Sequence, residues 1–156
     1  MPTIYKREQY DEFAKEMHEA FPLIFSGRYG GFAIGPGWWH IVKSLCSNTQ
    51  RYIDQRKKTR EVLLKDNPLN LNMPEEVPQV VVEQIKEKLG GLRFYYRGGD
   101  SYIAGMVSLA ESWVLHTCEE CGQPGEIRGG FNGGGWPRTL CDIHEAEYQA
   151  RRNNDV

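Results

Sequence analysis

Cys118-Glu119-Glu120-Cys121-Gly122 and, with nineteen residues between Cys121 and Cys141, Cys141-Asp142-Ile143-His144 set the organisation of the C-terminal part of this chain. Two residues between the members of each pair let both side chains reach one ion from a single tight turn, and the long gap lets a hairpin bring the second pair back to the first. Gly122 supplies the permissive backbone that a turn after the first pair requires. Three cysteines and a histidine at these intervals match a zinc site better than a disulfide framework, which also points to a reducing compartment and hence the cytoplasm. Four protein donors close a tetrahedral shell and leave no position for an activated water. The expected Zn2+ on Cys118, Cys121, Cys141 and His144 is therefore structural. It organises a stretch with few large apolar side chains.

Between the pairs, Glu126-Ile127-Arg128 and Arg138-Thr139-Leu140 read as hairpin arms around a glycine-rich tip, Gly129 to Gly135, that includes Phe131, Asn132 and Gly133. Residues 142–152 read as a short polar helix that opens on the second pair. Turn, hairpin and a ligand pair on the first turn of a helix, in that order, resemble the treble-clef zinc fingers. The fold class expected is α+β: a small body of helices and sheet over 1–115, with a treble-clef-like finger over 116–156 packed on it as one compact unit.

The rest of the chain supports an ordinary body. The 156 residues favour one domain, and 40% hydrophobic with 26% charged residues is a globular balance. The formal net charge of −2 argues against tight non-specific binding to nucleic acid. No apolar run approaches membrane-spanning length, and Met1 to Glu8 has no signal-peptide core. Residues 6–21 carry Tyr10, Phe13, Met17 and Phe21 at helical steps, ended by Pro22. An irregular, glycine-rich aromatic loop follows over 22–37. A second helix starts near Trp38, with Ile41, Val42, Leu45, Cys46, Thr49, Tyr52 and Ile53 on its apolar stripe and a basic tail from Arg51 to Arg60. Residues 65–78 form a long loop. For 79–89 the helical period of Val81, Val82, Ile85 and Leu89, closed by Gly90, is favoured over the strand preference of Val80-Val81-Val82. Leu92, Phe94 and Tyr96 alternate with Arg93 and Tyr95 as a strand over 92–97. A helix capped by Asp100 or Ser101 follows, with Tyr102, Ile103, Met106, Val107, Ala110, Trp113 and Val114 on one stripe.

Several catalytic patterns fail. The hairpin between 122 and 140 has no histidine to serve a His-Asn-His nuclease, and Asn132 reads as a turn residue. His144-Glu145 lacks the second histidine of a zincin, and the glycines at 30–35 lack the following Lys-Ser or Lys-Thr of a phosphate loop. Cys46, on the apolar stripe, is a core cysteine. No enzyme is expected.

Two motifs exceed what a core needs: Gly35-Pro36-Gly37-Trp38-Trp39-His40 and Gly90-Gly91-Leu92-Arg93-Phe94-Tyr95-Tyr96. Neighbouring tryptophans on a helix lie about 100° apart, so one is exposed or a second layer covers it. Arg93 and Tyr95 face outward together, where a ring and a guanidinium can take a base or a phosphate. The candidate contacts are Trp39, His40, Arg93 and Tyr95. The Glu87–Tyr95 stretch, the Gly37-Trp38-Trp39 turn and the C-terminal finger together resemble a group of small uncharacterised proteins of tailed bacteriophages and prophages. That resemblance implies an accessory role inside an infected bacterium, with a host factor as partner, either a defence protein or a nucleotide messenger. A nucleic-acid-binding finger that uses Arg128, Arg138 and the basic tail of the second helix is the alternative, and a nuclease the third reading.

Overall fold

The computed structural model describes residues 4–130 and 134–155, so Phe131, Asn132 and Gly133 of the expected tip lie outside the described residues. Among the described residues the chain is mixed α and β, with four helices and five strands in two small sheets. A 3-10 turn, Arg7–Gln9, leads into α1, Tyr10–Ala20. The loop after it contains β1, Phe32–Ala33, a strand too short to leave a sequence pattern. A second 3-10 turn, Pro36–Trp38, opens α2, Trp39–Asp66. Strands β2, Val81–Lys88, and β3, Gly91–Arg97, follow, and then α3, Ser101–Trp113. The C-terminal part holds β4, Glu126–Arg128, β5, Arg138–Leu140, and α4, Asp142–Asn154. No helix among the described residues is long and apolar enough to cross a membrane.

The helical reading of 79–89 is wrong, and the register explains why. β2 pairs with β3 antiparallel, and the pairing shifts between Val82 and Gln84. This bulge at Glu83 puts Val82 and Ile85 on the same buried face three residues apart, which imitates a helical step. Gly90, read as a helix terminator, instead shares a two-residue turn with Leu89. Both have positive φ, +53° at Leu89 and +80° at Gly90, as a tight hairpin turn of primed type demands. β1 lies parallel to β2 on its other side, with Phe32 opposite Ile85.

One face of this three-stranded sheet closes the core. Phe32, Val82, Ile85, Leu92 and Phe94 pack with Phe13 and Met17 of α1, with Trp39, Val42, Leu45, Cys46 and Ile53 of α2, and with Ile103 and Val107 of α3. The free edge of β3 is covered by α3, whose Glu111 carboxylate accepts the Phe94 N–H at 3.0 Å. Asp100 caps α3 by accepting the Ile103 N–H at 3.1 Å. The apolar stripe expected on α3 divides. Ile103, Val107, Ala110 and Val114 are buried, while Tyr102 and Trp113 are 58% and 60% exposed.

Both tryptophans at the start of α2 are buried, because two different layers cover them. Trp39 stacks on Phe13, with ring centroids 4.7 Å apart and planes 10° from parallel, and Tyr5 and Tyr10 pack around it. Trp38 turns the other way, and its indole N–H donates to the Thr117 carbonyl at 2.8 Å. The long loop after α2 is held by local turns: Asn67 and Asn70 side chains accept the N–H groups of Leu69 and Asn72.

Leu89 holds a backbone conformation that costs an L-residue about 1–2 kcal/mol and that asparagine tolerates better. Leu89→Asn is therefore expected to stabilise the protein by about 1 kcal/mol, seen as a higher urea midpoint at unchanged slope. An unchanged or lower midpoint would show that the turn is not strained.

Candidate metal centre

The C-terminal part is built around two turns that aim four side chains at one point. In the first, Gly122 N–H donates to the Cys118 carbonyl at 2.8 Å, and Cys118 N–H to the Gln123 carbonyl at 2.7 Å. Gly122 takes φ +75°, the conformation expected of it. β4 and β5 then pair antiparallel, with Ile127 opposite Thr139, and return the chain to the first turn. Cys141 is the N-cap of α4, and its carbonyl accepts the Glu145 N–H at 2.9 Å. His144, in the first turn of the helix, thereby sits beside Cys141.

The donor atoms of Cys118, Cys121, Cys141 and His144 all lie within 4.8 Å of one another, so the cluster can hold a metal ion. Cys121 Sγ is 3.9 Å from Cys141 Sγ, and His144 Nδ1 is 3.5 Å from Cys118 Sγ and 3.2 Å from Cys141 Sγ. A tetrahedron with metal–sulfur bonds of about 2.3 Å has sulfur–sulfur edges of about 3.8 Å. All four cysteines are free, and 3.9 Å is nearly twice a disulfide bond of about 2.05 Å. Behind the imidazole, His144 Nε2 lies 3.9 Å from a Glu147 carboxylate oxygen.

The electrostatics favour a cation. Burial, together with the neighbouring sulfurs of Cys118 and Cys141, pushes the Cys121 thiol up to about 12. Burial also opposes ionisation of Cys141, but hydrogen bonds from the His144 backbone and ring and from the other two sulfurs bring it down to about 7. Three thiolates packed this closely repel one another unless a positive ion stands between them.

The two motifs singled out for recognition seat this centre on the body. A Cβ on Gly37 would lie 2.1 Å from the Cys118 carbonyl oxygen and 2.5 Å from the Gly122 nitrogen. Gly37 N–H donates to the Glu119 carbonyl at 2.7 Å, and Gly35 N–H to the Glu119 carboxylate at 2.9 Å. Burial pushes that carboxyl up to about 7, against the opposing pull of the Gly35 N–H. On the other flank Thr139 Oγ donates to the Gly90 carbonyl at 2.6 Å, and Glu119 N–H donates to the Thr139 carbonyl at 3.0 Å. Arg7 reaches across to pair with Glu120. In the sequence Glu119 is a mere spacer between ligands; only the Gly-Pro-Gly at 35–37 hints that another backbone comes this close.

No family model matches the chain, and neither a curated protein nor a solved structure does.

The four expected contact residues separate. Trp39 is 1% exposed and packs in the core. His40 lines a groove of about 480 Å3 between α2 and α3, with Ile41, Leu45, Met106, Leu109 and Trp113; neither Arg93 nor Tyr95 lines it. Burial lowers the His40 pKa, although a hydrogen bond with the Gly37 backbone opposes the shift. Arg93 and Tyr95 do share the outer face of the sheet, as the strand alternation requires. His18 is exposed but engaged, with its ring nitrogens 2.7 Å from the Ala14 carbonyl and 2.8 Å from the Tyr29 hydroxyl. Cys46 is buried, and burial pushes its thiol far up, as a core cysteine requires. Of the hairpin arginines, Arg138 is buried, bonded to Glu145 at 2.9 Å and stacked 3.6 Å over the Tyr148 ring. Arg128 pairs with Asp142 at 2.6 Å.

The seat is testable with two glycines. Gly37→Ala is expected to destabilise the protein by about 2–3 kcal/mol, because backbone stands where the methyl group would go. Gly105→Ala on α3, whose Cβ meets nothing within 4 Å, is expected to stabilise it by up to about 1 kcal/mol. Thermal unfolding of both variants checks the contrast; equal effects would remove the seat.

Proposed function

We propose that this chain is a non-enzymatic binding protein whose C-terminal segment is a treble-clef finger holding one structural Zn2+. The observation that carries this reading is the convergence of three sulfurs and one imidazole nitrogen within 4.8 Å of one another. Thiolate and imidazole donors at tetrahedral spacing suit zinc, and four of them complete its shell. The order of turn, β4–β5 hairpin and ligand-bearing α4 supports the treble clef. The seating of the Cys118–Gly122 turn against Gly35 and Gly37 supports a structural role, since it ties the cluster to the packing of the body, and four protein donors complete the shell.

The resemblance to small bacteriophage and prophage proteins supports a setting in the cytoplasm of an infected bacterium. The partner proposed there is a host factor, a defence protein or a nucleotide messenger, engaged by a surface that includes Arg93 and Tyr95. A nucleic-acid-binding module is the second reading. The engagement of Arg128 and Arg138 within the finger moves that reading away from the hairpin and toward the sheet.

Purified protein is expected to contain one zinc per chain by elemental analysis. Chelation is expected to release it and to unfold the C-terminal segment, with loss of the amide-exchange protection of β5 and α4. Cys141→Ala is expected to abolish stoichiometric zinc. The protein as isolated is expected to turn over neither nucleotides nor nucleic acids, with or without added divalent metal. Protein free of zinc yet fully protected in β5 and α4 would overturn the structural role.

A further inference from the structure

The outer face of the three-stranded sheet collects positive charge in a chain whose net charge is −2. The register sorts the side chains. Ile85 with Phe94, Val82 with Tyr96 and Glu87 with Leu92 share the inner face; Lys86 with Arg93, Gln84 with Tyr95, Val81 with Arg97 and Lys88 with Gly91 share the outer one. The outer face therefore carries four cations, Lys86, Lys88, Arg93 and Arg97. The carboxylate beside them is Glu83 at the bulge, 3.9 Å from Arg97 with both side chains more than half exposed. Such a contact neutralises little. Among the described residues Lys86, Lys88 and Arg93 make no ion pair within 4.0 Å. Arg93 is anchored on its own strand through an Nη1 bond to the Leu92 carbonyl at 2.9 Å. Between Arg93 and Arg97 stands Tyr95, 43% exposed. These alternate residues recur about every 6.6 Å along the strand. Gln84, opposite the tyrosine, adds an exposed amide.

We propose that the outer face of the β1–β2–β3 sheet binds single-stranded nucleic acid. The inference rests on the second reading above, a nucleic-acid-binding module, and names the class of nucleic acid. Cations along the strands track the phosphates while one base stacks on Tyr95, a combination that tolerates any sequence. Charge complementarity selects a polyanion. The exposed ring selects one whose bases are free to stack, which a duplex does not offer. An acidic peptide would leave Tyr95 without a planar partner.

The test uses the intact, zinc-loaded chain and fluorescein-labelled oligo-dT and oligo-U of about twelve nucleotides, read by anisotropy across a salt series. Both strands are expected to bind at low salt, with a slope of log affinity on log salt between about −2 and −3, as three or four phosphate contacts dictate. Tyr95→Ala is expected to weaken binding about ten-fold at every salt concentration. The double variant Lys86→Gln, Arg93→Gln is expected to reduce the slope by about 1.4. Lys57→Gln with Lys58→Gln on α2 is expected to change neither. Zinc content and circular dichroism are measured on each variant, so that loss of binding is scored only on folded protein. Absence of binding at low salt would sink the proposal, as would equal affinity for duplex, for polyglutamate or for a mononucleotide. So would a drop in slope produced by the α2 pair instead of the sheet pair. Any of these results on a protein that still carries one zinc per chain leaves the structural-metal reading standing while removing this one.

Discussion

Gly37 has no room for a side chain. Its Cα faces the backbone of the Cys118–Gly122 turn so closely that a single methyl group would overlap a carbonyl oxygen. Much of the architecture follows from that contact. It brings the start of α2 against the first ligand turn, lets the Trp38 indole reach the Thr117 carbonyl, and buries Glu119 where its carboxylate meets the Gly35 N–H. The turn that presents Cys118 and Cys121 is thus held by the body on one side and by β5 on the other. A metal ion in the cluster would lock a turn that the body already grips from outside.

The C-terminal Cys/His segment is readable from sequence because its constraints are local. Paired ligands two residues apart, a glycine after the first pair and polar arms around a glycine tip predict strands at 126–128 and 138–140, where β4 and β5 stand. The helices at 6–21 and from Trp38 are readable for the same reason, since an apolar residue every three or four positions matches one face of a helix and does not match a pleated strand. What fails has non-local causes. β1 is two residues long and exists only because β2 lies beside it. The bulge at Glu83 shifts the apolar period of β2 by one residue and disguises a strand as a helix. α3 is apolar over more of its circumference than the core covers, so its stripe looks unitary although Tyr102 and Trp113 face solvent.

The candidate contacts show how composition misleads about role. Trp38-Trp39 resembles a recognition element because two neighbouring indoles exceed what one core can take; here two layers take one each. Arg138 has the composition of a nucleic-acid contact, yet it is buried against Glu145 and Tyr148 and braces α4 against the hairpin. Arg93 and Tyr95 keep their outward positions because strand alternation is indifferent to tertiary context once the inner face is known. Lys86 and Lys88 join them only when β2 is recognised as a strand, so the charge of that face is invisible while the segment is read as a helix.

The indole bond between Trp38 and Thr117 joins residues 79 apart in the chain, whereas Cys118 and His144 are separated by only 26. The entropy of closing a loop rises with the logarithm of its length, so the contact inside the Cys/His cluster forms at a cost smaller by about 1 kcal/mol than the one that docks it. Short-range closure is also the faster event. The Cys/His cluster is accordingly suited to close before it docks, and the glycine surfaces at 35–37 and 90, which precede it in the chain, stand as its berth.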